Sequence, residues 1–477
     1  MLFNSIDFGI FFPIVFLLYW VFFNNNILLR NVFLIAVSYL FYGWWDWRFL
    51  SLIVISSLID FIAGNKIFTT QKKSTKKQWL LLSLIINLGF LGFFKYHNFF
   101  IDSFVGAFSF FGQTFNGPQL NIILPVGISF YTFQTLSYTL DIYYNRFKPT
   151  KNVFAFFAFV SFFPQLVAGP IERAKDLVPQ FLKVNIVNYE LLRSGLLLML
   201  WGFFKKIVIA DRLAIFVDGA YGDLAGIDGV TSLFAVLFFA FQLYIDFSAY
   251  SDIAIGSSRL LGFKLSSNFN RPYLAASFSD FWKRWHISLS SWFKDYVYIP
   301  LGGNRTSKVK FIRNILVVFM LSGLWHGASW NFVFWGLING VFILLIDRFL
   351  VKKDAHIIRK IIASLTVATL WALSLVFFRA ETLSNALSMY GNLFIESKSV
   401  LFEYGLNQKE FYFTLKLLVG YMIFELILEK YTNIFSWFTK KNFIFRWVLY
   451  ISVVLFIVFY GSYGVGLNDN NFIYFQF

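Results

Sequence analysis

The 477-residue chain contains no cysteine. Disulfides, thiolate metal sites and a cysteine nucleophile are therefore excluded together. Charge is scarce as well: Asp, Glu, Lys and Arg make up 14% of the sequence, where a soluble domain carries about 25%. No Gly-rich phosphate loop, zinc-type ligand spacing or serine-nucleophile elbow is present. An internal repeat of the inverted kind that builds many transporters is also missing. The opening "MLFNSIDFGIFFPIVFLLYWVFF" has no cationic stretch before its apolar run and no small-residue cleavage pattern after it. It reads as a retained first span and not as a removable signal peptide.

What fills the chain is hydrocarbon. Hydrophobic residues make up 58% and aromatics 22%, with 67 Phe. Apolar runs recur from end to end, which defines an all-α polytopic membrane protein. The candidate spans are 8–23, 31–45, 49–64, 79–94, 122–143, 152–168, 194–209, 231–250, 311–325, 330–350, 358–378, 412–428 and 446–463. Several fall short of the ~20 residues a straight span needs. They are expected to be tilted, broken or partly inserted helices shielded by protein, because irregular backbone is not tolerated against lipid. Residues 96–112 read as a re-entrant or interfacial segment.

The formal charge of +16 follows first from topology, since cytoplasmic loops collect Lys and Arg and anionic headgroups favour them. No basic–aromatic surface outside the membrane argues for nucleic acid. The loop "KIFTTQKKSTKKQ" at 66–78 has five lysines and no acid. It is placed in the cytoplasm, which puts the N-terminus outside; "RFKPTK" at 146–151 falls on the same side. The longest hydrophilic stretch, 259–313, carries ten Lys or Arg against Asp280 and Asp295 and is likewise placed in the cytoplasm.

Within it, Phe278, Phe281, Trp282, Trp285, Leu289, Trp292, Phe293 and Tyr296 recur at helical steps. This predicts one amphipathic helix in the headgroup plane, aromatic side inward. His286 lies in it, four residues after Trp282 and four before Ser290. His326 is embedded in "LSGLWHGASWNFVFWGLING", a stretch with no formal charge. On a helix it shares a face with Ser322, Ser329 and Trp330, while Gly323, Gly327 and Ala328 let another backbone approach. In "FQLYIDFSAYSDIAIG", Gln242, Asp246 and Tyr250 form one helical stripe. A carboxylate at that depth needs a partner, expected to be a cation of the basic stretch or a histidine. Each of these residues also has a plain structural reading, as a hydrogen-bonded core group or an ion pair fixing helix register. Two histidines with hydroxyls and no thiol suit proton transfer, in which neutral imidazole takes a proton from an alcohol attacking an activated acyl group. A thioester from the cytoplasm fits that chemistry, and the basic patch is where its coenzyme's phosphates could dock.

Longer stretches carry a resemblance. "FWKRWHISLSSWFKDYVYIPLGGNR" and "LSGLWHGASWNFVFWG" closely resemble the membrane-bound O-acyltransferase (MBOAT) family in its bacterial alginate O-acetylation subgroup. "SYLFYGWWDWRFL", "LPVGISFYTFQTLSY", "VSFFPQLVAGPIERAKDLVPQ", "FFKKIVIADRLA" and "SSNFNRPYLAASFSDFW" do so too. The likeness covers roughly residues 1–350. It implies a single domain over 1–477, with 258–310 as a cytoplasmic-side basic segment and 311–350 carrying the histidine helices. It also implies a ring of about 11–13 transmembrane helices, with re-entrant or interfacial helices, around a central funnel. By resemblance His326 and His286 are catalytic. Asp246, Gln242, Ser322, Ser329, Trp325 and Asn331 support or line the passage, and Lys283, Arg284 and Arg305 receive the donor. No metal and no tightly bound cofactor are implied; acetyl-CoA is the acyl donor. An extracytoplasmic serine-nucleophile (SGNH-type) acetyltransferase and, through it, a polysaccharide are the expected partners, in a bacterial cell membrane. Ala249 stands where the subgroup usually has Gly, and Asn339 where many members have His. The alternatives are transfer of D-alanine to teichoic acid, and a transporter of polysaccharide or lipid intermediates.

Overall fold

A computed structural model describes residues 1–110, 112, 117, 119–350, 356–398, 400–431, 437–438, 440–463 and 472–473. All regular structure among them is helical. Among the described residues eight continuous helical runs, Ile27–Thr69 counted as one, are long and apolar enough to cross a membrane, and Trp330–Ile346 is a shorter apolar one. The chain is a multi-pass membrane protein. It divides into two compact units: Met1–Leu197 with Ala254–Ser266 and Gly327–Ser329, and Leu198–Ile253 with Ser267–His326 and Trp330–Phe477.

The first unit opens with helix Ile6–Leu18, whose first turn is capped by the Ser5 hydroxyl. Asn26 caps Ile27–Asp46 in the same way. Asp46 is extended (φ −159°, ψ 109°) and accepts from the Arg48 amide, so the run breaks there and Leu50–Thr69 is a separate helix. Each of these two helices has 20 residues, about 30 Å of rise and enough to span. Lys73–Leu91 continues through a π turn at Gly92–Tyr96 into His97–Phe110. The expected re-entrant segment 96–112 is thus a helical extension over its first fifteen residues, and its residue 111 lies outside the described residues. Span 122–143 is helical only from Ile128, because Gly127 adopts φ +75°, a conformation that favours glycine. Span 152–168 breaks at Phe162, between Val153–Ser161 and Phe163–Leu166.

Buried polar groups tie this unit together. Asp60 accepts from the Ser83 hydroxyl (2.5 Å) and the Asn87 amide (3.1 Å), while Ser56 donates to Asn87 Oδ1 at 2.5 Å. These bonds join helices Leu50–Thr69 and Lys73–Leu91. Arg30, fully buried, donates to the carbonyls of Phe181 (2.7 Å) and Lys183. It thereby satisfies the open C-terminal end of helix Ala174–Phe181 with a charge-assisted bond.

The second unit holds one large apolar core running from Val208 to Ile473. Two side-chain caps and a glycine contact set its elements. The Asp347 carboxylate accepts from the amides of Phe278 (2.6 Å) and Ser279 (2.9 Å), capping helix Phe278–Arg284. Asn407 and Glu410 form a capping box on Gln408–Lys430. Glycine does the third job. A Cβ at Gly323 would lie 2.0 Å from Phe332 O, and one at Gly336 2.2 Å from Phe319 O. Helices Lys308–His326 and Trp330–Val341 therefore touch backbone to backbone, as small residues allow. Gly323→Val should separate them and lower the thermal midpoint in detergent by several degrees. An unchanged midpoint would show that the contact is slack.

Candidate active site

His326 is the last residue of helix Lys308–His326 and is buried. Residues 327–329 are not helical, and the next helix begins at Trp330. The expected shared face with Ser329 and Trp330 is therefore absent, because the helix ends at His326. Ser322, one turn earlier, stays on His326's own helix and is buried. Rings packed around the imidazole include Trp325 (centroid distance 5.0 Å), Trp335 (5.2 Å), Phe378 (5.2 Å) and His286 (6.5 Å). Forty residues apart in sequence, the two histidines are ring neighbours.

His286 arrives by a break the sequence did not announce. In place of one amphipathic helix there are two, Phe278–Arg284 and Ile287–Phe293, followed by a π turn at Lys294–Tyr298. His286 sits between them at φ 41°, ψ 56°. A left-handed non-glycine residue costs about 1–3 kcal/mol and persists only where its surroundings enforce it. Here a neighbouring strand of chain does so. The Asn270 amide donates to Arg284 O and the Ile287 amide to Asn268 O, both at 2.9 Å. Asn268 Oδ1 accepts from the Ser288 hydroxyl (2.6 Å) and amide (3.3 Å). Hydrogen bonds thus hold the backbone on both sides of His286. Its ring lies against Phe247 (4.8 Å) and Trp325 (5.8 Å). Burial pushes its imidazole down to about 3, so it is neutral at any ordinary pH.

The stripe on helix Gly229–Leu260 forms as expected: Gln242, Asp246 and Tyr250 are all buried on it. The partner of Asp246 is a correction. It is neither a histidine nor a cation of the 259–313 stretch but Lys206, whose Nζ lies 2.8 Å from Asp246 Oδ1 and 2.8 Å from Asp211 Oδ1. Lys205 pairs with Asp252 (2.7 Å) and donates to Ser248 (2.8 Å). A π-helical segment, Phe204–Ala210, carries both lysines, and both are buried. The extra residue per turn lets adjacent side chains reach inward. The Ile473 amide donates to Asp246 Oδ2 at 2.6 Å, and the Phe472 ring centroid is 4.4 Å from Lys206 Nζ. Nothing in the stripe pattern pointed to Lys206. The signal was "FFKKIVIA", two adjacent lysines inside an apolar run, where a charge without a function or a partner is too costly to keep.

Of the remaining expected positions, Trp325 and Asn331 are buried; Asn331 donates to Ala380 O at 2.8 Å. Ser329 is half-buried and falls in the other unit. Asn339 is buried, donating to Trp335 O (2.8 Å) and Ser374 Oγ (3.4 Å). Lys283 and Arg305 are exposed. Arg284 is not: Asp280 (2.9 Å) and Glu429 (3.0 Å) engage it, and Glu429 also takes Arg271 at 2.5 Å. Sequence spacing also missed Trp335 and Phe378, which pack on the His326 imidazole, and Asn268, which bonds the backbone beside His286; all three are brought there only by tertiary packing. Among the described residues no group of three or more His, Cys, Asp or Glu side chains could hold a metal ion.

The multi-pass helical fold and its relatives define a membrane acyltransferase, and the two imidazoles buried among aromatic rings are its candidate centre. A sequence model of the MBOAT, membrane-bound O-acyltransferase family, matches residues 144–354. The chain is 40% identical over 371 residues to the probable alginate O-acetylase AlgI of Azotobacter vinelandii, covering 76% of this chain and 72% of that one. It is 37% identical over 409 residues to the peptidoglycan O-acetyltransferase of Helicobacter pylori, at 80% and 77% coverage. Similarity to the teichoic acid D-alanyltransferase of Bacillus subtilis is lower, 30% over 234 residues, at 47% and 59% coverage. The chain belongs to the membrane-bound O-acyltransferase family. It is an acyltransferase, and the transporter alternative falls away.

Proposed function

We propose that the protein moves an acetyl group from cytoplasmic acetyl-CoA to a hydroxyl acceptor beyond the bacterial cell membrane, for O-acetylation of an alginate-like exopolysaccharide or a cell-wall glycan. The observation that carries this reading is the ring contact between His326 and His286, 6.5 Å apart and both buried. The names of the two most extensively covered relatives above, both O-acetylating, support acetyl over D-alanyl. An extracytoplasmic SGNH-type acetyltransferase is the proposed immediate partner, and the polysaccharide the final acceptor.

In this mechanism the acceptor hydroxyl attacks the thioester carbonyl. His326 takes the hydroxyl proton as the C–O bond forms, and the carbonyl π pair moves onto oxygen. When the C–S bond breaks, the imidazolium returns the proton to the leaving thiolate. Acetyl-CoA and alcohol thus become ester and free coenzyme A. His286, held neutral by burial, orients substrate by hydrogen bonding and does not carry the proton. Its replacement by Gln should therefore lower turnover at least ~10-fold while the pH dependence of what remains keeps its shape. A shifted inflection would assign the titrating role to His286 instead.

Lys283 and Arg305, both exposed, are proposed to receive the phosphates of the coenzyme; Arg284, already engaged by two carboxylates, contributes less. Charge reversal at Lys283 and Arg305 together should raise the apparent KM for acetyl-CoA about 10-fold or more, in keeping with charge-assisted contacts. Reversal at Arg284 should act mainly on stability. The test of the whole reading is direct: purified protein incubated with acetyl-CoA should cleave the thioester when an acceptor partner is present. Intact thioester under those conditions would end the proposal.

A further inference from the structure

Trp335 Nε1, like Trp282 Nε1 and Trp371 Nε1 in the same aromatic cluster, is buried with no hydrogen-bond partner among the described residues. The rings of Trp335 and Trp282 are 6.0 Å apart. Trp335 is 1% exposed, and its ring lies perpendicular to that of His326, centroids 5.2 Å apart and planes at 90°. It also packs on Phe378 at 5.1 Å and Trp371 at 5.9 Å. As aromatic filler, Trp335 would be the wrong choice. An N–H that gives up water and finds no acceptor is a net loss, and Phe supplies an aromatic ring without it. Indole is moreover a donor only, so whatever completes this group must bring an acceptor.

In the proposed reaction one acceptor has to come close to His326, because it belongs to the same carbon that the deprotonated alcohol attacks. That is the oxygen of the acyl carbonyl. We propose that Trp335 Nε1–H donates to the acyl carbonyl oxygen and stabilises the negative charge it gains when the alcohol adds. The inference rests on the acyltransfer reading above and assigns a further residue to it. As the C–O bond forms, the carbonyl electron pair moves onto oxygen, where the indole N–H meets it. As the C–S bond breaks, that pair re-forms the C=O bond and the contact relaxes. Trp335 neither gains nor loses a proton. Its contribution grows with the charge on oxygen, so it favours the transition state over the bound thioester, as oxyanion donors do. The backbone of Trp335 is fixed independently, since its carbonyl accepts from Asn339 Nδ2 at 2.8 Å.

The test deletes the N–H and nothing else. Incorporation of 3-benzothienylalanine at position 335 replaces the nitrogen with sulfur in a ring of the same shape; Trp335→Phe is the genetically encoded companion. Steady-state thioester cleavage is measured with acetyl-CoA and the acceptor partner, alongside the thermal midpoint in detergent. The expected result is a ~10²-fold fall in kcat, the range found for loss of one oxyanion donor, with KM within about twofold and an unchanged midpoint for the benzothienyl protein. Fluorinated tryptophans, which keep a more acidic N–H, should hold or raise kcat. Full turnover by the benzothienyl protein overturns the assignment of Trp335 and leaves the acyltransfer reading standing. A rise in KM with kcat preserved also overturns it, because the group would then bind ground state and transition state alike. Wild-type protein that consumes no thioester overturns both.

Discussion

His326→Ala should abolish acyl transfer while the protein reaches the membrane in normal amount and keeps its thermal midpoint. The reason lies in what surrounds the ring. Trp325, Trp335 and Phe378 pack around it at 5.0–5.2 Å, and general base catalysis by a positioned imidazole is worth about 10²–10⁴-fold. In a site with no cysteine to substitute as nucleophile, the loss should reach the upper end of that range. The measurement is glycan acetylation in cells beside immunoblot abundance, then thioester cleavage by the purified variant. Normal acetylation at normal abundance would remove His326 from the mechanism. Equal loss of activity and abundance would leave it a packing residue.

Lys206→Met should be the most damaging substitution for folding. Lys206 Nζ lies 2.8 Å from each of two buried carboxylates, Asp211 and Asp246. Methionine retains the length of the side chain and deletes the charge, so both acids lose their cation inside the apolar unit. Removing one partner of a buried pair costs about 3–5 kcal/mol, mostly through the charge left behind. Here there are two such charges and one further amide, from Ile473, committed to the same carboxylate. The expected outcome is poor recovery of monodisperse protein, partly restored by adding Asp246→Asn to the same chain. Near-normal stability of the single variant would mean that water reaches this cluster. Lys205, held by Asp252 and Ser248, is the comparison: Asp252 is partly exposed, so loss of Lys205 should cost less.

How much of this was legible beforehand varies by element. The helix Gly229–Leu260 was readable as a polar stripe because α-helical spacing is a local property, and Gln242, Asp246 and Tyr250 obey it. The break at His286 was not readable. Both short helices satisfy the three- and four-residue spacing of their aromatics, and neither glycine nor proline marks the junction. What bends the chain there is hydrogen bonding from Asn268 and Asn270, supplied through folding. The same holds for the partner of Asp246, expected to be a cation of the basic stretch or a histidine and found to be Lys206, forty residues upstream. Pairing between elements carries no periodic trace.

The sequence by itself determined that this chain lives in a membrane and is built from helices. Those outcomes follow from composition, since apolar residues in such excess can be buried only by lipid or by each other, and from the residue types that are missing. Only the tertiary structure decided which imidazole meets which ring, which lysine neutralises which acid, and where the backbone turns left-handed to allow it. Contacts of that kind depend on helix packing over distances that no local pattern encodes.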